Sequence, residues 1–102
     1  MKIYKVRMHR SAVQDLNEIF EFLITIGSNE RANRYINAMM KEVLSLSIFA
    51  DLYPCSRYAE IRRYHAHARH LISHNKRWVY VFHIEDDMVI VDRIRPSKLI
   101  KK

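Results

Sequence analysis

The 102-residue chain contains one glycine, two prolines and one cysteine. So few breakers leave little irregular chain, and most residues are expected in helices and strands. A lone cysteine, Cys55, excludes an internal disulfide and fits a reducing compartment, the cytoplasm. Its side chain reads as a small buried apolar group rather than a nucleophile. No apolar run approaches the ~20 residues that a membrane crossing needs. The opening "MKIYKVRMHR" carries a charge every two or three residues, unlike a signal peptide. No repeat or low-complexity segment breaks the chain, so one domain over 1–102 is expected, with no membrane association.

What is present is an ordinary apolar content for a globular core, which excludes a disordered chain. Charge is unevenly spread. Residues 1–56 hold seven Lys/Arg against six Asp/Glu, whereas residues 57–102 hold eleven against five. The net +7 therefore sits almost wholly in the second half, along with five of the six histidines. An anionic partner for that half is the physical implication, either nucleic acid or an acidic protein segment.

"KIYKVRMH" (2–9) alternates, with Tyr4, Val6 and Met8 on one side, and reads as a half-buried strand. "SAVQ" has the form of a capping box with Ser11 as N-cap. Leu16, Ile19, Phe20 and Leu23 then follow at helical spacing over 12–26. Gly27 is expected in the left-handed conformation that ends a helix. Ser28 and Glu30 suit the start of a second helix over 29–48, marked by Ala32, Tyr35, Ile36, Met39, Val43 and Leu46. The short turn makes the two an antiparallel hairpin. Residues 49–67, interrupted by Pro54, read as an ordered loop ending in a short strand. "ARHLIS", "RWVYVFHI" and "MVIVDRIR" are three strands joined at "HNK" and "EDD". The fold class is α+β, order β-αα-β-β-β: an antiparallel-dominated sheet with a helical hairpin packed on one face and the other face open.

Parity along a strand sorts its side chains. Trp78, Tyr80, Phe82 and Ile84 are the larger apolar set and should face the helices, leaving Arg77, Val79, Val81 and His83 on the open side. A two-residue loop at Asp86-Asp87 would bring Arg93 and Arg95 under the helices, where unpaired guanidinium groups are costly. A three-residue loop, Glu85 to Asp87, instead sends Met88, Ile90 and Ile94 inward, with Asp92 near Tyr80, and Arg93 and Arg95 outward. That register is adopted. A tight turn at Asn75-Lys76 pairs His70 with Val81 and His74 with Arg77, so both histidines share the open face. The expected site is a concave surface lined by His70, His74, Arg77, Arg93 and Arg95. Arg57, Lys76 and Lys98 add cations for an anion, a nucleic acid or a protein target, and the terminal "KLIKK" could add another contact. Asp15, Glu18 and Glu21 read as the solvated side of the first helix, and "EDD" as a solvated turn. His70 and His74 lie in a strand, not at helical spacing, and no Cys or carboxylate pattern completes a metal site.

With this order of elements, the chain resembles the RelE/ParE family of toxins from type II toxin–antitoxin systems, also described as plasmid stabilisation proteins. "AVQDLNEIFEFL" is similar to the family's first helix. "LYPCSR" resembles its Pro–Arg loop through Pro54 and Arg57. "KRWVYVFHIEDDMVIVDRI" resembles its β-hairpin, with Arg77 matching the family arginine and Tyr80 the tyrosine three places on. The resemblance covers nearly the whole chain. It implies a growth-inhibiting toxin neutralised by a small acidic antitoxin whose segment wraps around it.

Two modes of action come with that resemblance. ParE-like members inhibit DNA gyrase. RelE-like members enter the ribosome and cut mRNA, which would make Arg77 a transition-state clamp and His70 or His74 the acid or base. No cofactor is implied. The nuclease pattern includes a Tyr or His near the C-terminus, where this chain has "RIRPSKLIKK", and the long helical hairpin leans toward the ParE-like branch. A non-toxic or decayed nucleic-acid-binding domain is the third alternative.

Overall fold

A computed structural model describes residues 2–100. The final two lysines of "KLIKK" lie outside the described residues. The elements run β1 (Lys5–Met8), α1 (Arg10–Ile26), α2 (Asn29–Phe49), a 3₁₀ turn (Ala50–Leu52), α3 (Ala59–Arg62), β2 (Arg69–Ile72), β3 (Trp78–Glu85), β4 (Met88–Pro96) and a second 3₁₀ turn (Ser97–Leu99). The strands form one sheet in the order β1-β4-β3-β2. β1 runs parallel to β4, and the other two pairings are antiparallel. The α1–α2 hairpin carries the chain from β1 at one edge toward β2 at the other, and β3 and β4 then fill the space between them.

The two long helices start where side chains satisfy free backbone N–H groups. His9, not Ser11, is the N-cap of α1: its Nδ1 accepts the Ser11 N–H at 3.1 Å. Ser11 therefore lies inside the first turn and the expected capping box does not form. Gly27 has φ −155°, so the expected left-handed helix end is absent as well. At α2 the Ser28 hydroxyl accepts the Arg31 N–H at 3.2 Å, and Glu30 sits in the first turn.

The helix-facing core joins Ile19, Met39, Val43 and Leu46 to Tyr80, Phe82, Val89, Val91 and Ile94. Each such aliphatic or aromatic side chain contributes about 1.5–3 kcal/mol by leaving water. Two polar networks fix the same interface. The Tyr35 hydroxyl accepts from Trp78 Nε1 and Asn75 Nδ2, both at 2.9 Å. The Tyr80 hydroxyl donates to Glu42 Oε1 at 2.8 Å. Burial first, and then that hydrogen bond, raise the Tyr80 pKa far above the ordinary phenol value.

The opposite face of the sheet is not open. Ile61 of α3 and Ala68 pack on Val79 and Val81, flanked by Tyr58, Tyr64 and Ile100. Residues 49–67 are thus a 3₁₀ turn, an isolated bridge from Cys55 to Arg69 and a four-residue helix. Cys55 is exposed, contrary to the expected buried position.

The β2–β3 register follows the expected pairing, with His70 opposite Val81. The β3–β4 hairpin differs. Its loop is the two residues Asp86-Asp87, with Glu85 opposite Met88. Asp86 takes φ 56°, a left-handed position that Asp tolerates, so the turn closes without glycine. Val89 and Val91 consequently face the helices, where Met88 and Ile90 were expected. A β-bulge then intervenes: Val81 faces Arg93 while Phe82 faces Val91. Asp92 is the extra residue. It resets the parity, so Ile94 is buried and Arg93 and Arg95 point away from the helical core. Among the described residues no helix is long and apolar enough to cross a membrane.

Candidate functional site

β1 ends opposite Val91, which leaves residues 92–96 of β4 without a strand on their outer side. A bare edge there would be open to unwanted pairing. The Ile94 N–H points outward and donates instead to Asp15 Oδ2 of α1 at 3.0 Å. Pro96, the next outward position, has no N–H to offer. The Asp15 carboxylate also receives Arg93 Nε at 2.7 Å and Nη2 at 3.0 Å. Asp15 is therefore buried, not on a solvated helix face. These hydrogen bonds hold the Arg93 guanidinium's pKa above its ordinary value. Arg93 also lies 5.5 Å from the Tyr64 ring centre. An arginine so engaged is a poor anion receptor, which corrects its expected place in a free cationic surface.

The other cations of the second half divide into two groups. The Ser97 N–H donates to the Arg77 carbonyl at 2.9 Å, and the Ser97 hydroxyl donates to the Lys76 carbonyl. Those bonds fasten the end of β4 to the β2–β3 loop. They bring Lys76, Arg77 and Lys98 to the end of the sheet that carries Arg95, which lies opposite Val79. Lys76, Arg77 and Lys98 are exposed. Lys76 sits at φ 66°, a left-handed position costing a non-glycine residue about 1 kcal/mol. Arg57 is exposed beside the Cys55–Arg69 bridge, on the far edge of β2, and does not join the group.

The two candidate histidines are not brought together. His70 lies on the face covered by α3, edge-on to Tyr58 at 5.6 Å between ring centres. Its Nδ1 is enclosed without a partner, and burial lowers its pKa. His74 lies in the β2–β3 loop on the helix side, where its backbone N–H donates to Glu42 Oε2 at 2.7 Å. It borders a small cavity with Tyr35 and Met39. The expected shared face for His70, His74 and Arg77 is thus absent, because the ladder ends before His74 can pair with Arg77.

A different histidine is well partnered. His83 is buried opposite Ile90, and its Nδ1–H donates to Asp92 Oδ2 at 2.7 Å. Its ring stacks on His65 at 3.8 Å with 1° between planes. Asp92 therefore lies on the α3-covered face, not inward near Tyr80. Glu85 also lies 3.4 Å from His83 Nε2. Among the described residues no group of three His, Cys, Asp or Glu is placed to hold a metal.

A cavity of about 330 Å³ opens beside Arg95. Glu60, Ile61, Arg63, Tyr64, Val79, Leu99 and Ile100 complete its lining. The Nε of Arg95 is enclosed without a hydrogen-bond partner. Sequence reasoning placed Arg95 outward but missed the cavity, since α3 and the second 3₁₀ turn that wall it were not foreseen.

The model of one protein family, the ParE toxin of the type II toxin–antitoxin system parDE, matches residues 6–98. No curated protein matches the chain. Among solved structures, the chromosomal ParDE toxin–antitoxin system from P. aeruginosa is similar, with a TM-score of 0.76 at 17% identity. That similarity covers 92% of this chain and 96% of the other. At that identity the likeness speaks to the fold, while the family match spans nearly all of the sequence.

Proposed function

The chain belongs to the ParE family of type II toxin–antitoxin toxins, and from that premise we propose that it arrests growth by binding a protein target such as DNA gyrase, and is held in check by a small acidic antitoxin. The observation that carries this reading is the cationic end of the sheet, built without an acid–base pair. Lys76, Arg77, Arg95 and Lys98 gather there, while His70 is half-enclosed against Tyr58 and His74, its backbone N–H held by Glu42, lies on the helix side beside Tyr35 and Met39. Cleavage of RNA by its own 2′-hydroxyl needs a base and an acid within hydrogen-bond reach of the reacting atoms. Clustered cations without that pair suit the binding of an acidic polypeptide. The net charge of +7 complements an acidic antitoxin and speeds its association. Nothing in this reading requires a cofactor.

Induced expression in bacteria lacking a cognate antitoxin tests the proposal. Loss of plasmid supercoiling with a DNA-damage response is expected. Rapid cleavage of translated mRNA would replace this reading with the ribosome-dependent nuclease, and normal growth would leave a non-toxic domain. A small acidic protein is expected to be encoded beside this chain, and its co-expression should restore growth.

A further inference from the structure

The cavity beside Arg95 has a composition that selects among anionic partners. Its walls are mostly aliphatic, from Ile61, Val79, Leu99 and Ile100. Arg63 and Arg95 supply positive charge and Glu60 supplies one carboxylate. Neither arginine is ion-paired with Glu60 among the described residues. The Arg95 Nε is itself covered by surrounding protein, so a ligand in the cavity would meet the rest of the side chain, which lines the wall. At about 330 Å³ the space lies at the small end of ligand pockets, which run from ~300 Å³ upward.

A nucleic-acid strand fits these walls poorly. Single strands are gripped by aromatic platforms on which bases stack. The one aromatic ring here, Tyr64, is already approached by Arg63 at 5.6 Å and Arg93 at 5.5 Å. A polypeptide uses every feature instead. A carboxylate side chain meets the positive charge of Arg63 and Arg95 on the cavity wall, where charge-assisted hydrogen bonds are strong. A neighbouring aliphatic side chain fills the Ile61–Val79–Leu99–Ile100 walls, and Glu60 accepts a peptide N–H.

We propose that the Arg95 cavity is a peptide-binding pocket that takes a carboxylate side chain together with an adjacent aliphatic one from an acidic partner segment. The proposal gives a recognition chemistry to the cationic end of the sheet, and so deepens the reading of that end as a protein-binding surface. It is tested in vitro on the full chain, so its outcome is separate from whether the chain arrests growth.

Fluorescence anisotropy would compare three labelled probes: a short end-blocked peptide alternating glutamate and leucine, its glutamine–leucine counterpart, and a short single-stranded oligothymidylate. Saturable binding of the glutamate peptide is expected, with the glutamine peptide about tenfold weaker or worse. Arg95→Gln and Leu99→Asp should each weaken the glutamate peptide by about tenfold, the second by filling an apolar wall with charge. Arg31→Gln removes the same charge from an exposed site at the start of α2 and should change binding less than about twofold. Retained melting temperatures would show that the variants fold. Equal weakening by Arg95→Gln and Arg31→Gln would overturn the pocket in favour of general charge attraction. So would tighter binding of the oligothymidylate than of the peptide, or unchanged binding by Leu99→Asp.

Discussion

Replacing Asp15 by alanine tests the account of the bare β4 edge. The carboxylate serves three donors: Arg93 Nε, Arg93 Nη2 and the Ile94 N–H. Its side chain is 9% exposed and that of Arg93 is 28% exposed, so the carboxylate is nearly dry while the guanidinium keeps some water. Breaking a fully buried pair costs about 3–5 kcal/mol, and partial hydration of Arg93 lowers that figure. The orphaned Ile94 N–H adds about 1–3 kcal/mol, since Ile94 is itself buried. A net loss of about 3 kcal/mol follows for Asp15→Ala, a large share of the ~5–15 kcal/mol available to a domain. At ~4–8 °C per kcal/mol this lowers Tm by about 12–24 °C. Asp15→Asn keeps an oxygen for Ile94 and should cost less. Arg93→Ala, which leaves the Ile94 bond in place, should also cost less. Urea unfolding of the two alanine variants and their double mutant gives the coupling energy. Equal losses for Asp15→Ala and Asp15→Asn, or a loss below about 1 kcal/mol for Asp15→Ala, would refute the idea that this carboxylate closes the edge.

Three further outcomes are expected. Burial lowers the His70 pKa, so below about pH 6.5 the unfolded chain takes up a proton that the folded chain resists, and stability falls as pH drops through that value. His70→Phe should lose less Tm than the wild type between about pH 7.5 and pH 5.5, and equal losses would count against it. Tyr80 stays protonated when ordinary tyrosines ionise, and this costs stability as pH rises above about 10 because only the unfolded chain can release the proton. An ultraviolet absorbance titration of the native chain should therefore reach the same amplitude in Tyr80→Phe as in the wild type. Tyr35→Phe strips the acceptor from Trp78 and Asn75 and should cost about 1–2 kcal/mol by urea unfolding, accompanied by a change in Trp78 fluorescence.

The legible parts of the fold were those governed by simple periods. Parity placed Trp78, Tyr80, Phe82 and Ile84 on the helix side, and the His70–Val81 pairing followed from a tight turn at Asn75-Lys76. The α1–α2 hairpin followed from its apolar spacing and from Ser28. What stayed hidden depends on single residues or on contacts distant in sequence. A four-residue helix such as α3 has too few positions to show a period, so the cover over Val79 and Val81 was missed. With it went the cavity beside Arg95. The bulge at Asp92 carries no glycine to announce it. Asp15 did leave a trace: it lines up with Ala12 and Ile19 at helical spacing, all three being buried. A carboxylate in an apolar stripe signals a buried partner, and only the fold could name that partner as Arg93. The excess of cations in the second half is plain from the sequence, but composition could not tell an arginine engaged by a carboxylate, such as Arg93, from one that lines a cavity, such as Arg95.

The bulge has a consequence for how the chain tolerates change in length. β4 holds one residue more than its ladder with β3 requires. Removing Asp92 would join Val91 directly to Arg93 and leave a regular ladder in which every remaining side chain keeps its present face. Removal of Val91 instead would seat Asp92 opposite Phe82 in the core. β4 thus has slack at one position, just past the end of its pairing with β1, and the spare residue supplies the carboxylate that His83 meets. A chain lacking Asp92 should keep a folded circular dichroism spectrum and lose only that contact, whereas a chain lacking Val91 should not fold.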